Sequence, residues 1–139
     1  MRRELPGGYE LDDDPSRLDI DAIHAYIGGE SYWARGRPKE RMRAAIDGSA
    51  RVIGLYDGAE QVGFARVVSD RATFAYLADV YVLQGHRGRG LGVELVREAV
   101  ETEPWSRFRW HLVTRDAHAI YEKLGFAGPS ERMMQRDAS

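Results

Sequence analysis

A glycine-rich segment, Arg87-Gly88-Arg89-Gly90-Leu91-Gly92, constrains the fold of this chain more strongly than any other stretch. It follows an apolar run with β propensity that ends at Leu83, and it opens a segment with helical periodicity. The first turn of a helix has backbone N–H groups without partners inside the helix, and the helix dipole favours negative charge there. A strand, a glycine turn and a helix in this order therefore predict a binding site for phosphate groups.

Two well-known phosphate-binding loops do not match these residues. A P-loop requires Lys and then Ser or Thr after its last glycine, but Leu91 and Gly92 stand at those positions. A dinucleotide-binding loop requires a third glycine at the position that Val93 occupies. The sequence therefore argues against both a nucleoside triphosphatase and a dinucleotide-binding domain.

The spacing [Q/R]-x-x-G-x-[G/A], with Arg87, Gly90 and Gly92 in its fixed places, resembles the acetyl-CoA-binding loop of the GCN5-related N-acetyltransferase (GNAT) superfamily. The later segment 116–126 is similar to the A-x-x-x-Y-x-K-x-G-F helix of that superfamily. The segment S-Y-W-A-x-G-R-P (residues 31–38) resembles a bacterial branch whose substrates are mostly unassigned. The resemblance implies an acetyl-CoA-dependent transfer of an acetyl group directly to a primary amine of a small molecule or peptide.

Composition limits the other classes of protein. With 139 residues, 43% of them hydrophobic, we expect a single domain over residues 1–139. A net charge of −2 argues against a nucleic-acid partner, and no apolar run has the length that a membrane span requires. Zero cysteines suit the reducing cytoplasm and remove the cysteine nucleophile that a covalent acyl-enzyme would use. The oligomeric state stays open between a monomer and a homodimer.

Hydrophobic periodicity predicts the element order βααβββαβαβ. This order is that of the GNAT fold, a mixed α/β (α+β) class with a central, mostly antiparallel sheet flanked by about four helices. The predicted strands cover residues 9–12, 51–56, 61–68, 73–83, 109–113 and 133–135. The predicted helices begin after Asp19, at Pro38, after Gly90 and at Asp116.

The resemblance also implies which residues contact acetyl-CoA. The backbone of Val80 and Val82 would face the pantetheine arm, with the Val82 N–H directed at the thioester oxygen. Many members carry Asn where this chain has Thr114. The residues predicted to bind the cofactor are Val80, Val82, Arg87, Gly88, Arg89, Gly90, Leu91, Gly92, Thr114 and Tyr121. No metal is expected, because the four histidines form no H-E-x-x-H motif.

Two residues are the candidates for proton transfer. Tyr121 matches the tyrosine that acts as general acid in the superfamily, and a phenol with a pKa of about 10 is protonated at neutral pH. Asp79, the carboxylate of the strand before the loop, is a candidate base for the acceptor ammonium. Asp79 could instead bond the splayed backbone, and a water chain, His111 or His118 could take the base role.

The acceptor amine is expected to meet the segment between the first two helices. Tyr32 and Trp33 lie there beside charged residues, a combination that binds aromatic or cationic amines, although Trp33 could equally pack on the core. Some relatives carry a Glu base at the position of Tyr76, so Tyr76 is a third candidate for contact with the substrate. A non-catalytic acyl-CoA-binding domain that senses the cofactor is the competing function.

Overall fold

Six strands form one sheet in the order in which they occur along the chain. They are β1 (Arg2–Leu5), β2 (Tyr9–Asp12), β3 (Arg51–Asp57), β4 (Glu60–Ser69), β5 (Phe74–Val82) and β6 (Arg109–His111). Neighbouring strands from β1 to β5 are antiparallel, whereas β5 and β6 are parallel. The computed structural model describes residues 1–128 and 131–138.

Four helices cover the two faces of the sheet. They are α1 (Ile20–Gly29), α2 (Lys39–Asp47), α3 (Leu91–Glu101) and α4 (His118–Glu122). On one face, Ile23 of α1 and Met42 of α2 pack with Phe64 of β4. On the other face, Leu95 of α3 packs with Leu77 of β5 in a second core. This arrangement confirms the mixed α/β class, with a mostly antiparallel sheet flanked by four helices.

Three helices begin where local backbone chemistry predicts, whereas α4 begins at His118, two residues after the predicted start at Asp116. The Asp19 carboxylate accepts a hydrogen bond of 3.0 Å from the Ala22 N–H and thereby caps α1. Pro38 precedes α2, and Gly90 precedes α3 with a left-handed φ of 75°. None of the helices in the described part of the chain is long and apolar enough to cross a membrane.

The two ends of the chain differ from the predicted element order. The first strand, Arg2–Leu5, was not predicted because its residues are mostly charged, although the following Pro6-Gly7-Gly8 is a turn signal. The strand predicted at residues 133–135 is wrong, because Met133 and Met134 are exposed and unpaired irregular chain. Residues 129, 130 and 139 of the predicted single domain lie outside the described residues.

A β-bulge interrupts β5 at Asp79. Phe64 pairs with Tyr81 and Arg66 pairs with Ala78, so one residue of β4, Ala65, lies opposite two residues of β5. Asp79 has a φ of 54°, in the left-handed region that few residues other than glycine adopt. A bulge bends its strand and increases the local twist. The part of β5 after Asp79 is therefore bent relative to the part before it.

From Leu77 onwards, β5 no longer pairs with its neighbour β6. The parallel pairing of the two strands covers only Phe74 to Tyr76, whereas β5 continues to Val82. The Leu83 N–H donates to the Val62 carbonyl at 2.8 Å, on the β4 side. Because successive residues of an antiparallel strand direct their amide groups to opposite sides, Val82 directs its own amide groups into the gap between β5 and β6.

Candidate functional site

A cleft of about 660 Å³ opens in the gap beside the end of β5. Its walls come from the start of α3, the α1–α2 loop (residues 30–38) and the segment around α4. Of the residues predicted from the sequence, the cleft is lined by Tyr32, Trp33, Val80, Val82, Arg87, Gly88, Gly90, Leu91, Gly92 and Tyr121. The fold therefore brings most of the predicted cofactor residues into one site with the aromatic pair and the candidate acid.

The glycine loop leaves its backbone accessible. Gly88 and Gly90 have left-handed φ angles of 79° and 75°, and a Cβ at either position would meet no described atom within 4 Å. A Cβ at Gly92 would lie 3.9 Å from Val82 Cγ2, which is an ordinary contact. The start of α3 therefore combines the unpaired N–H groups of a helix N-terminus with open space at Gly88 and Gly90, which fits the diphosphate of a coenzyme A.

Arg87 connects the glycine loop to two other elements of the cleft. Its Nε donates to the Val82 carbonyl at 2.8 Å, and its Nη2 donates to the Tyr26 hydroxyl of α1 at 2.9 Å. The guanidinium therefore bridges β5 and α1 across the cleft. Arg89 is exposed and lies outside the cleft lining.

Tyr121 of α4 is half-buried at the wall of the cleft. Its ring packs edge-on against Phe126, with 5.8 Å between the ring centres. Burial, with smaller contributions from Tyr32 and Asp116, raises the pKa of Tyr121 to about 12. The phenol is therefore protonated at neutral pH and can donate a hydrogen bond to developing negative charge.

The α1–α2 loop contributes an aromatic wall. Tyr32 and Trp33 are 41% and 39% exposed, and their rings meet edge to face with 5.1 Å between centres. Tyr26 of α1 extends this wall, and its ring stacks on the ring of Tyr81 with 4.1 Å between ring centres. The exposure of Trp33 to the cleft leaves its ring accessible to a ligand, while part of it packs against the protein.

Asp79 lies outside the cleft lining, and its carboxylate is hydrogen-bonded to three other side chains. Its two oxygens accept hydrogen bonds from Trp33 Nε1 at 2.7 Å, Arg37 Nη1 at 2.8 Å and Arg66 Nε at 2.6 Å. Burial opposes ionisation, but the hydrogen bond and charge of Arg66 and the charge of Arg37 outweigh it and lower the pKa of Asp79. A base role for Asp79 stays a prediction that these contacts do not favour.

Tyr76 and Thr114 also lie outside the cleft lining. Tyr76 is half-buried on β5, where it pairs with His111 of β6. Thr114 Oγ1 accepts a hydrogen bond from the Ala117 N–H at 3.1 Å, just before α4. Their predicted contacts with substrate and cofactor remain predictions.

The two histidines considered as alternative bases occupy different surroundings. His111 packs against Phe74 with 5.1 Å between ring centres, and its Nδ1 is buried without a hydrogen-bond partner among the described residues. His118 is exposed at the start of α4. Neither side chain lines the cleft, so neither gains a base role from its position.

The cleft also includes Glu30 and Arg35 of the predicted acceptor segment, and residues that were not predicted from the sequence, among them Tyr26, His86, Arg115 and Asp116. Tyr26 follows Ile23 by three residues, so helical periodicity places Tyr26 beside the buried face of α1. This spacing was a signal in the sequence that Tyr26 faces the rest of the protein. Arg115 gave no local signal, because its contact with Tyr32 joins residues far apart in the chain. Within residues 1–128 and 131–138, no group of three or more His, Cys, Asp or Glu side chains could hold a metal ion.

Comparisons with known proteins identify the family of this chain. Residues 48–127 match the family model described as an acetyltransferase (GNAT) domain. A protein of Gibberella zeae named as an acetyltransferase is 31% identical over 86% of this chain and 79% of its own length. A histone acetyltransferase of Glycine max is 34% identical over 85% of this chain, but the match spans only about half, 54%, of that protein.

Solved structures show the same fold. A protein of Xanthomonas campestris pv. campestris assigned to the GNAT acetyltransferases is 40% identical, with 94% of this chain and 93% of that chain covered and a TM-score of 0.87. A protein from Staphylococcus aureus covers 94% of this chain and 98% of its own, with 19% identity and a TM-score of 0.72. The second likeness concerns the fold alone.

Proposed function

This chain belongs to the GNAT acetyltransferase family, and on that premise we propose that it uses acetyl-CoA to acetylate a primary amine of a small molecule or peptide. The observation that carries the proposal is the single cleft that holds the glycine loop, Tyr121 and the Tyr32–Trp33 wall. A phosphate-binding loop at one side and an aromatic wall at another suit a two-substrate reaction, because both substrates must reach one point.

The roles of the cofactor-binding residues follow from their backbone atoms. The unpaired N–H groups at the start of α3 would bind the diphosphate, and the Val82 amide, directed into the gap, would bind the thioester oxygen. When bound, acetyl-CoA supplies an activated acetyl group. These two contacts would hold the diphosphate and the thioester, which lie at opposite ends of the pantetheine arm.

Tyr121 would act on the sulfur that leaves. The amine would react in its neutral form, and its nitrogen would form a bond to the acetyl carbon as the carbon–sulfur bond breaks. The nitrogen would then release its extra proton to water, and the sulfur would leave with negative charge. Tyr121 donates a hydrogen bond to that charge because the raised pKa, about 12, keeps its proton in place at neutral pH. With zero cysteines in the chain, the acetyl group moves directly to the amine.

A second candidate function is acyl-CoA binding without turnover. One observation favours it: Asp79, the candidate base on β5, lies outside the cleft lining, and its carboxylate already accepts hydrogen bonds from three donors. A domain that senses the cofactor would need the glycine loop but no base. The two functions differ in turnover and not in cofactor affinity.

The test is release of CoA over a panel of amines, read with a thiol-reactive dye. Because the chain contains zero cysteines, the dye reports only the thiol of CoA. The panel contains small aromatic amines, polyamines, amino acids and peptide N-termini, and calorimetry measures the affinity for acetyl-CoA. Turnover of an amine supports the transferase. Tight binding without turnover of any amine favours the sensing domain, and absence of binding contradicts both.

A further inference from the structure

The carboxylate of Asp79 joins three segments of the chain at one point. Arg66 belongs to β4, whereas Trp33 and Arg37 both belong to the α1–α2 loop. Asp79 itself is 7% exposed. Hydrogen bonds to a buried, ionised carboxylate are about twice as strong as those between neutral groups. The carboxylate therefore attaches the loop to the sheet at the edge of the cleft.

Trp33 depends on this attachment for its orientation. Its ring is 39% exposed, so packing covers only part of its surface. The bond from Nε1 to Asp79 fixes the one polar atom of the indole, and the rings of Tyr32 and Tyr26 lie beside it with 5.1 Å and 6.4 Å between ring centres. Other contacts hold the loop backbone, such as the bond of 2.9 Å between His24 Nε2 and the Arg37 carbonyl, but they do not touch the indole.

The carboxylate is poorly suited to accept a proton. Protonation would weaken its bonds to two guanidinium groups in a buried place, which is why the pKa of Asp79 lies below its ordinary value. A base for an ammonium, whose pKa is about 10, works best with a pKa near the working pH. The contacts thus indicate a role that acts through Trp33.

The backbone of the same residue shapes the other wall of the cleft. Asp79 occupies the left-handed position of the bulge, after which Val80 and Val82 line the cleft. Asp and Asn tolerate this conformation better than Ala. Side chain and backbone of one residue therefore fix the Trp33 wall and the cofactor strand relative to each other.

We propose that Asp79 is a positioning residue that holds the Trp33 ring in the acceptor wall and aligns that wall with the cofactor strand. The acceptor part of this statement rests on the proposed function. The position of the indole does not, and it can be measured without any substrate.

The direct test uses the indole N–H signals of the three tryptophans in a ¹H–¹⁵N spectrum. The Trp33 signal is identified by its absence in Trp33→Phe. In Asp79→Asn, which keeps a residue suited to the left-handed backbone, we expect this signal to move upfield. The matched control is Glu98→Gln, because Glu98 is an equally buried carboxylate paired with Arg51 and Arg3 on the opposite face. The control should leave the Trp33 signal in place.

The kinetic test separates positioning from catalysis. With the best amine of the panel, Asp79→Asn and Trp33→Phe should each raise the KM for the amine roughly tenfold, the loss expected for one charge-assisted hydrogen bond. The Kd for acetyl-CoA should stay unchanged in both variants and should rise in Asp79→Ala, where alanine strains the bulge. The pH profile of kcat should keep its acid limb in Asp79→Asn.

Two results would overturn the proposal. One is a Trp33 signal that responds equally to Asp79→Asn and Glu98→Gln, which would mean a general loss of stability. The other is a fall of kcat by about 10²–10⁴ with loss of the acid limb in Asp79→Asn, the signature of a general base. If no amine is turned over, the transferase proposal fails while the indole signal still decides the role of Asp79.

Discussion

The backbone N–H of Arg115 donates to the Tyr32 hydroxyl at 2.8 Å, and the Arg115 guanidinium carbon lies 3.9 Å from the centre of the Tyr32 ring. These two contacts join the α1–α2 loop to the segment before α4 and close one side of the cleft. The ring of Tyr32 already accepts a cation on its face, as an aromatic wall for a charged amine would have to do.

Removal of the Tyr32 ring should therefore open this side of the cleft. Tyr32→Ala loses one hydrogen bond and one cation–π contact, together about 1–2 kcal/mol at an exposed site. We expect the KM for the amine to rise roughly tenfold, with little change in the Kd for acetyl-CoA. Phe74→Ala is the matched control, because Phe74 is 38% exposed and lies outside the cleft lining. Equal effects of both variants would contradict a role of Tyr32 in acceptor binding.

Gly92 tests the close approach of the cofactor to α3. A Cβ at Gly92 meets only Val82 Cγ2 at 3.9 Å, so Gly92→Val should fold with unchanged or slightly higher thermal stability. If the diphosphate lies against this turn, the larger side chain should weaken binding of CoA by about 10- to 100-fold, the cost of one charge-assisted hydrogen bond. Calorimetric titration with CoA measures this effect.

Gly85→Val provides the control for the loop. Gly85 lies seven positions earlier, its would-be Cβ meets no described atom within 4 Å, and it is absent from the cleft lining. Its substitution should leave the affinity for CoA unchanged. A folded Gly92→Val protein with normal CoA affinity would show that the start of α3 does not bind the cofactor.

Tyr121→Phe removes the hydroxyl and keeps the ring that packs on Phe126. We expect kcat to fall by about 10²–10⁴ where chemistry limits the rate, with the Kd for acetyl-CoA nearly unchanged. Because burial raises the pKa of the phenol to about 12, the wild-type enzyme should lose no activity through ionisation of Tyr121 up to about pH 10. Rapid-quench measurement of the chemical step with the best amine tests both statements, and a wild-type rate in Tyr121→Phe would reduce Tyr121 to a packing residue.

Tyr56 should make the fold sensitive to alkaline pH. Its hydroxyl is buried without a hydrogen-bond partner among the described residues, and burial raises its pKa to about 12. Since the pKa is near 10 in the unfolded chain, the unfolded state ionises first, and stability is lost as the pH rises from about 10 to about 12. At pH 11 this loss amounts to about 1.4 kcal/mol.

Urea unfolding at pH 8 and pH 11 measures this loss. In Tyr56→Phe the difference between the two pH values should shrink by about 1.4 kcal/mol, while kcat at pH 8 stays at the wild-type value, since Tyr56 lies outside the cleft lining. The stability at pH 8 should stay equal or increase, because the substitution removes an unpaired buried hydroxyl. An unchanged difference between the two pH values would disprove the assignment to Tyr56.

Local backbone chemistry explains why much of the site was predictable. The glycine loop, the Asp19 cap and the start of α2 after Pro38 depend on a few residues each, so their signals lie within short windows of the sequence. The loop indicated the strand before it and the helix after it. Together these segments fixed one wall of the cleft.

Long-range pairing explains what was not predictable. The bonds from Asp79 to Trp33 and Arg37 span 46 and 42 positions, and no periodicity in the sequence encodes them. The edge strand Arg2–Leu5 is short and charged, so only its pairing with β2 makes it a strand. The segment 133–135, with its apolar Met133 and Met134, pairs with no strand in the described part of the chain. At both ends of the chain, the presence or absence of a neighbouring strand determines whether a segment forms a strand, and its β propensity does not.

Because of the bulge in β5, Asp79 is an extra residue that has no partner of its own in the pairing of β4 with β5. Tyr81 lies opposite Phe64 and Ala78 opposite Arg66, so deletion of Asp79 would leave Val80 alone opposite Ala65 with every other pair intact. The sheet could close as a regular ladder one residue shorter, with the bend in β5 relaxed. A deletion here would keep the strand pairing, but it would remove both the bend that shapes the cleft and the carboxylate that attaches the α1–α2 loop to the sheet.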